Sequence, residues 1–94
     1  MNTQQAEVVA ISALGFIAGD GELLQRFLAI TGIEASQIRR AASEPGFLAG
    51  VLNFVLAHEP TLLRFAEESG TDPSLVEQAL RTLPQGDDSY ESST

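Results

Sequence analysis

The densest run of apolar positions in the chain is FLAGVLNFVLA at residues 47–57, which only Gly50 and Asn53 interrupt. A helix over this run leaves no polar face for water, and such a helix has to be buried. The run is too short to cross a membrane, because a spanning helix needs about 20 apolar residues. The pattern therefore predicts a central core helix over which the other segments of the chain pack.

A second apolar helix is predicted near the N-terminus, at residues 4–18. Its apolar side chains are Val8, Val9, Ile11, Leu14, Phe16 and Ile17. Only Glu7, Ser12 and Gly15 interrupt them. Gly15 lowers helix propensity by up to about 1 kcal/mol relative to alanine, a cost that close approach of another helix would offset. We expect this helix and the central one to form a buried pair.

The remaining helices are amphipathic and have clear start and stop signals. They are predicted at residues 22–31, 35–43, 60–69 and 73–83. Gly32 and Gly70 can supply the positive φ of a helix C-cap. Asp20 can accept hydrogen bonds from the free amides of the helix that follows it. Asp72 and Pro73 are typical of an N-cap followed by the first helical position.

The second half of the chain repeats the first at an offset of 38 residues, which places Phe54 on Phe16. At this offset Leu62 falls on Leu24, Arg64 on Arg26, Phe65 on Phe27, Gly70 on Gly32 and Ala79 on Ala41. Neither half, at about residues 4–43 and 44–83, can cover its apolar helix alone, so pairing the halves buries both. Chance similarity between amphipathic helices is the alternative explanation.

These elements predict an all-α fold, a compact bundle of about six short helices. Its two related three-helix halves have corners that resemble a helix-turn-helix. A chain of 94 residues is expected to form one domain, here residues 1–84. Residues 85–94, QGDDSYESST, are predicted to form a disordered acidic tail.

The formal charge of −8 comes from 13 acidic residues and five arginines, without any lysine. An acidic surface repels phosphate backbones and anionic lipid headgroups, which disfavours nucleic acid and membrane partners. It suits a basic protein partner. The absence of cysteine excludes disulfides, thiol nucleophiles and cysteine-ligated metals. The N-terminus lacks the basic start of a signal peptide, and we expect a cytoplasmic protein.

No constellation of residues predicts an enzyme, a cofactor or a metal site. The single histidine, His58, has Leu62 four positions later and so lacks the paired histidine of a zinc protease helix. We expect it at a helix end, near the C-terminal dipole of the central helix. The sequence Gly19-Asp20-Gly21 has no preceding strand and no following lysine, so capping explains it better than phosphate binding.

The corner at Gly32 supports an alternative function, a helix-turn-helix transcriptional regulator that binds DNA through residues 35–43. Its second helix would enter the major groove and would present Gln37, Arg39 and Arg40 to bases or phosphates. The acidic balance of the chain weakens this interpretation, because DNA binding depends on the neutralisation of phosphates by cations.

The chain also resembles a known family of short bacterial proteins, the domain-of-unknown-function 3572 group. The resemblance covers about residues 6–83. It rests on the blocks at residues 16–20 (FIAGD), 26–27 (RF), 31–32 (TG), 47–48 (FL) and on Phe54. These blocks are mostly apolar residues, glycines and caps. The resemblance implies no activity, and no functional residue is carried over from it.

The function predicted from the sequence is a non-enzymatic protein-interaction module or a small homo-oligomer. Surplus apolar surface on the central helices motivates self-association, and the net charge motivates a basic partner. Whether a small ligand binds between the two halves cannot be argued from residue types, and this possibility stays open here.

Overall fold

The computed structural model describes residues 1–44 and 46–84, and within these ranges the chain is helical and has no strand. The helices are α1 Thr3–Ala18, α2 Gly21–Thr31, α3 Ile38–Ala41, α4 Phe47–Leu56, α5 Glu59–Ser69 and α6 Pro73–Thr82, and a 3₁₀ turn at Ala35–Gln37 precedes α3. The predicted all-α bundle of short helices is therefore confirmed. The predicted tail at residues 85–94 lies outside the described residues.

The predicted caps form as the sequence indicates. The Asp20 side chain accepts hydrogen bonds from the amides of Glu22 and Leu23 at the start of α2. The Asp72 side chain accepts a hydrogen bond from the amide of Ser74 at the start of α6. Gly32 and Gly70 end α2 and α5 with φ values of 76° and 73°, a left-handed conformation that glycine adopts without steric cost.

The third helix is shorter than predicted. Residues 35–43 were expected to form one α-helix, but they begin as the 3₁₀ turn and contain only the four-residue helix α3. The Glu34 amide donates to the Gln37 side chain at 3.5 Å, and the Gln37 amide donates to the Glu34 carbonyl at 2.8 Å. These bonds close a tight turn at the point where an α-helix would start.

The core is centred on α4, which lies against α1, α5 and α6. Its buried side chains are Phe47, Ala49, Val51, Leu52 and Val55. Asn53 and Ala57 are exposed at the edge of the helix. The prediction of a buried central helix is therefore confirmed for most of its circumference.

The expected pairing of α1 with the central helix holds for one face of α1 only. This helix buries a stripe of one isoleucine and three alanines, Ala6, Ala10, Ala13 and Ile17, each 0% exposed. Val8 and Ile11 on the opposite side are 64% and 58% exposed. Alanine methyl groups let α1 approach α4 and α6 closely, which larger side chains would prevent. Close packing therefore selects the small residues for the inner face.

The structure divides the five phenylalanines of the chain into two groups. Phe27, Phe47 and Phe65 are buried, whereas Phe16 and Phe54 are half-buried. The rings of Phe16 and Phe65 are 5.5 Å apart, and those of Phe27 and Phe54 are 5.4 Å apart. The half-buried rings thus cover the buried ones, and each pair joins two helices.

The hydrogen bonds at the two glycine corners also recur 38 residues apart. Thr31 Oγ1 donates to the Phe27 carbonyl at 2.8 Å, and Ser69 Oγ donates to the Phe65 carbonyl at 2.6 Å. Each hydroxyl then accepts the amide two residues later. The two corners have the same local construction, and the common origin of the halves stays a prediction.

Candidate functional site: a groove between α2 and α4

A groove of about 570 Å³ lies between α2 and α4. Its lining residues are Arg26, Ile30, Thr31, Gly50, Asn53, Phe54, Ala57 and His58. The two helices come from different halves of the predicted repeat, and the ring contacts of Phe27 with Phe47 and Phe54 join them. The size lies within the range of about 300–1,000 Å³ that is typical of ligand sites.

A second recess of about 360 Å³ extends the groove along α4. The two recesses share Thr31 and Gly50, and the second continues towards Gly46 and Glu44. Together they form one trough beside the outer side of α4. We call the larger recess the α2/α4 groove.

The floor of the α2/α4 groove is open because of Gly50, a glycine in the middle of α4. A glycine at such a position costs about 1 kcal/mol relative to alanine. A Cβ atom added at Gly50 would meet no atom within 4 Å, so packing inside the molecule does not require glycine here. The missing side chain instead leaves the backbone of α4 accessible from the groove.

Two basic residues stand at the edge of this apolar groove. Within residues 1–44 and 46–84, Arg26 forms no ion pair. His58 lies between α4 and α5, at the predicted helix end, and its Nδ1 is hydrogen-bonded to Thr61 Oγ1 at 2.7 Å. This bond to a buried threonine fixes the imidazole ring beside the groove.

A smaller groove of about 190 Å³ lies between α1 and α5 and corresponds to the α2/α4 groove at the offset of 38 residues. Its lining residues Ser12, Phe16, Phe65, Glu68 and Ser69 correspond to Gly50, Phe54, Phe27, Ile30 and Thr31. We call this recess the α1/α5 groove. Phe16 and Phe65 both line the α1/α5 groove, whereas of the corresponding pair Phe54 lines the α2/α4 groove and Phe27 lines the adjoining recess.

Charged side chains of the chain itself lie beside the α1/α5 groove. Arg64 lies over the Phe16 ring, with its guanidinium carbon 5.3 Å from the ring centroid. The same guanidinium is 3.2 Å from an Asp20 carboxylate oxygen and 3.7 Å from one of Glu68. In the α2/α4 groove the corresponding positions hold Arg26, Phe54, His58 and Ile30, so a cation remains and both carboxylates are missing.

The carboxylates that act as helix caps have pKa values below the ordinary range. The amide of Leu23 has the largest effect on the pKa of Asp20, which it lowers by donating a hydrogen bond, and Arg64 lowers it further. The side chain and the amide of Ser74 lower the pKa of Asp72. These groups stabilise helix ends. Within the described residues, no cluster of metal-ligating side chains occurs.

The residues predicted for DNA contact lie on the other side of the glycine corner. Gln37, Arg39 and Arg40 are all exposed. Gln37 and Arg40 share a recess of about 300 Å³ with Glu44, which Arg39 does not line. The single turn of α3 is much shorter than the recognition helix that this prediction assumed.

Sequence reasoning missed the α2/α4 groove. The two halves differ in chemistry at many positions, and three of these line the groove: Gly50 aligns with Ser12, His58 with Asp20, and Ile30 with Glu68. Other mismatches, such as Thr61 with Leu23, lie outside it. The sequence alone therefore does not distinguish the groove.

The sequence model described as "Protein of unknown function (DUF3572)" matches residues 3–86. The chain belongs to this family. The match confirms the resemblance carried by the FIAGD, RF and TG blocks and extends it over α1 to α6. No curated protein and no solved structure matches the chain. Membership of the family therefore adds no activity to the geometry, and within the described residues no helix has the length and hydrophobicity to cross a bilayer.

Proposed function

We propose that this protein is a non-enzymatic protein-interaction module whose α2/α4 groove receives an apolar segment of a partner protein. One observation supports this most directly: the α2/α4 groove is apolar and has a volume of about 570 Å³, whereas its counterpart has a volume of about 190 Å³ and lies beside the ion pairs of Arg64 with Asp20 and Glu68. Recesses that combine apolar walls with a few polar groups are the usual form of binding sites.

The shape of the trough favours a polypeptide segment over a compact molecule. The trough follows α4, whose ten residues rise about 15 Å at 1.5 Å per residue. Two helical walls with apolar residues between them are the arrangement that receives an amphipathic helix in helix-in-groove recognition. Gly50 allows the backbone of such a segment to approach α4 closely.

The charge at the rim favours a carboxylate on that segment. Arg26 presents a planar guanidinium without an ionic partner among the described residues, and this group binds carboxylates in a bidentate way. Asn53 adds an exposed amide on the opposite wall. The net charge of −8 predicted a basic partner, whereas the groove itself favours an acidic group. A basic region of the partner would then contact the surface outside the groove.

The test compares two variants that add the same charge at exposed leucine-sized residues. Ile30 is 68% exposed in the groove, and Leu63 is 54% exposed on α5 outside it. Wild-type protein, Ile30→Glu and Leu63→Glu are immobilised, and the proteins they retain from native lysate are quantified by mass spectrometry. We expect a partner that wild type and Leu63→Glu retain and that Ile30→Glu loses. Equal retention by all three proteins would refute the groove as the binding site.

The carboxylate is tested separately with a peptide from that partner. Arg26→Gln should weaken binding by about 10- to 150-fold, because a hydrogen bond to a charged group is worth about 1.5–3 kcal/mol. Added salt should weaken wild-type binding and have little effect on Arg26→Gln. An unchanged affinity would remove the carboxylate from the proposal. If native mass spectrometry instead shows a small carboxylate bound to the protein, the ligand of the groove is a small molecule and not a protein segment.

A further inference from the structure

The outward side of α1 is an apolar face that nothing covers within the described residues. We define the α1 outer face as Gln4, Val8, Ile11, Gly15 and Ala18, all of them exposed. Their spacing of four and three residues places them in one stripe along the helix, as in the seam of a coiled coil. This stripe lies opposite the buried alanines of the same helix.

The α1 outer face is also uncharged on a strongly acidic protein. Among the 16 residues of α1, Glu7 alone is charged, and it borders the stripe beside Ile11. The stripe contains no carboxylate to bind a basic partner and no cation to bind an acidic one. An uncharged apolar surface is therefore the best match, and the α1 outer face of a second copy is such a surface. Elsewhere on the surface, two molecules of charge −8 repel each other.

The order of large and small residues along the stripe would allow it to pair with a second copy of itself. In an antiparallel pair of α1 helices with the two-fold axis between Ile11 and Ser12, Val8 of each copy would face Gly15 of the other. A large residue then meets a small one, which is how well-packed layers interdigitate. A Cβ atom added at Gly15 would meet no atom within 4 Å, so packing inside one molecule does not explain this helix-interior glycine.

We infer that a second copy of this chain docks on the α1 outer face and forms a two-fold symmetric, antiparallel dimer. This inference is independent of the α2/α4 groove. A helix of 16 residues is about 24 Å long. The surface area buried by one such helix pair is at the lower end of the range for stable interfaces, below about 1,200 Å². The dimer is therefore weak and forms as the concentration rises, and salt strengthens it by screening the repulsion between the copies.

A cysteine placed near the two-fold axis tests the geometry directly, because the natural chain has no cysteine. Under mild oxidation, Ile11→Cys should form a disulfide-linked dimer, since the two Cα atoms would lie within the distance of about 7 Å that a disulfide allows. Leu63→Cys, equally exposed on α5, is the matched control and should link much more slowly. Equal rates of linkage would overturn the inferred pairing.

Sedimentation equilibrium over a wide range of concentrations tests the association without a covalent bond. Ile11→Glu should raise the dissociation constant at least about tenfold, or about 1.4 kcal/mol, whereas Leu63→Glu should leave it unchanged. Gly15→Gln should weaken the dimer while raising the melting temperature of the monomer, and these opposite directions separate the interface from damage to the fold. A wild-type protein that stays monomeric at every concentration and salt level would overturn the inference.

Discussion

The α1/α5 groove and the α2/α4 groove lie at equivalent places between the two halves of the predicted repeat, yet they differ in size and in charge. Beside each lies a pair of phenylalanines in angled contact, with ring centroids 5.5 and 5.4 Å apart. Their volumes are about 190 and 570 Å³, and different side chains stand at their rims. One backbone arrangement can therefore carry either a small recess beside charged groups or a larger apolar groove.

The difference has a simple electrostatic basis. In the α1/α5 groove the arginine has two carboxylates of its own chain, at 3.2 and 3.7 Å, and these hold it over the aromatic ring. In the α2/α4 groove Arg26 has neither carboxylate, because His58 and Ile30 stand at those positions. Among residues 1–44 and 46–84, the cation of the second groove therefore has no carboxylate partner.

The largest expected effect is on the ring pairs that the two grooves share. Phe27→Ala and Phe65→Ala should each lower the free energy of unfolding by about 3–5 kcal/mol, because both side chains are almost fully buried. Urea denaturation of the two variants measures this. Phe27 also contacts Phe47 at 6.0 Å, so we expect the greater loss for Phe27→Ala. A loss below about 1 kcal/mol at either position would show that its ring is not part of the core.

The next largest effect is expected on binding, when residues of the α2/α4 groove are replaced by those at the corresponding positions of the α1/α5 groove. The triple variant Ile30→Glu, Gly50→Ser, His58→Asp carries the residues found at the corresponding positions of the α1/α5 groove. The glutamate introduced in place of Ile30 would pair with Arg26 in the way that Glu68 pairs with Arg64. Binding of a partner segment should therefore fall at least about tenfold, or about 1.4 kcal/mol.

The same triple variant should keep its fold, which circular dichroism and a thermal melt check. Leu63→Glu is again the control for added charge. If the triple variant binds the partner as well as the wild-type protein does, the difference between the two grooves has no functional meaning.

A smaller, stabilising effect is expected from Gly50→Ala alone. The new methyl group meets no atom within 4 Å, and alanine is favoured over glycine in a helix by up to about 1 kcal/mol. The free energy of unfolding should therefore rise by about 0.5–1 kcal/mol, while the groove becomes shallower. A destabilised Gly50→Ala variant would show that the groove wall is closer to Gly50 than the structure places it.

The smallest expected effect is a loss of stability at low pH that depends on Asp20, a residue beside the α1/α5 groove. The pKa of Asp20 is lowered in the folded protein. The ionised Asp20 therefore stabilises the fold above the ordinary pKa of a carboxyl group. This stabilisation is lost as the pH falls through the lowered pKa of Asp20. Wild-type protein should therefore lose stability below about pH 4. Asp20→Asn, which keeps a capping side chain, should lose less in thermal melts at pH 7 and pH 3. An identical loss in both proteins would assign the acid sensitivity to other groups, Asp72 included.

Local signals in the sequence predicted much of the fold. Asp20, Asp72, Gly32 and Gly70 mark helix ends through interactions within a few residues, and each forms the predicted cap. The core helix α4 was recognised because its hydrophobic run leaves little choice of face.

The sequence did not reveal which face of α1 is buried, because apolar residues surround that helix. Tertiary packing decides this point, and the close approach of α4 and α6 selects Ala6, Ala10 and Ala13 over Val8 and Ile11. The α2/α4 groove was missed for a related reason. Arg26 and His58 are 32 positions apart in the sequence, and only the packing of one half against the other brings them to the same rim.

The alanine stripe of α1 has a consequence for how such a protein can change over generations. Because Val8 and Ile11 lie on the side of this helix opposite its buried residues, the volume of these two side chains has little effect on the core. Mutations at Val8 or Ile11 can thus create or abolish an assembly without a penalty in folding. Selection can therefore act on the folding of this protein and on its self-association separately.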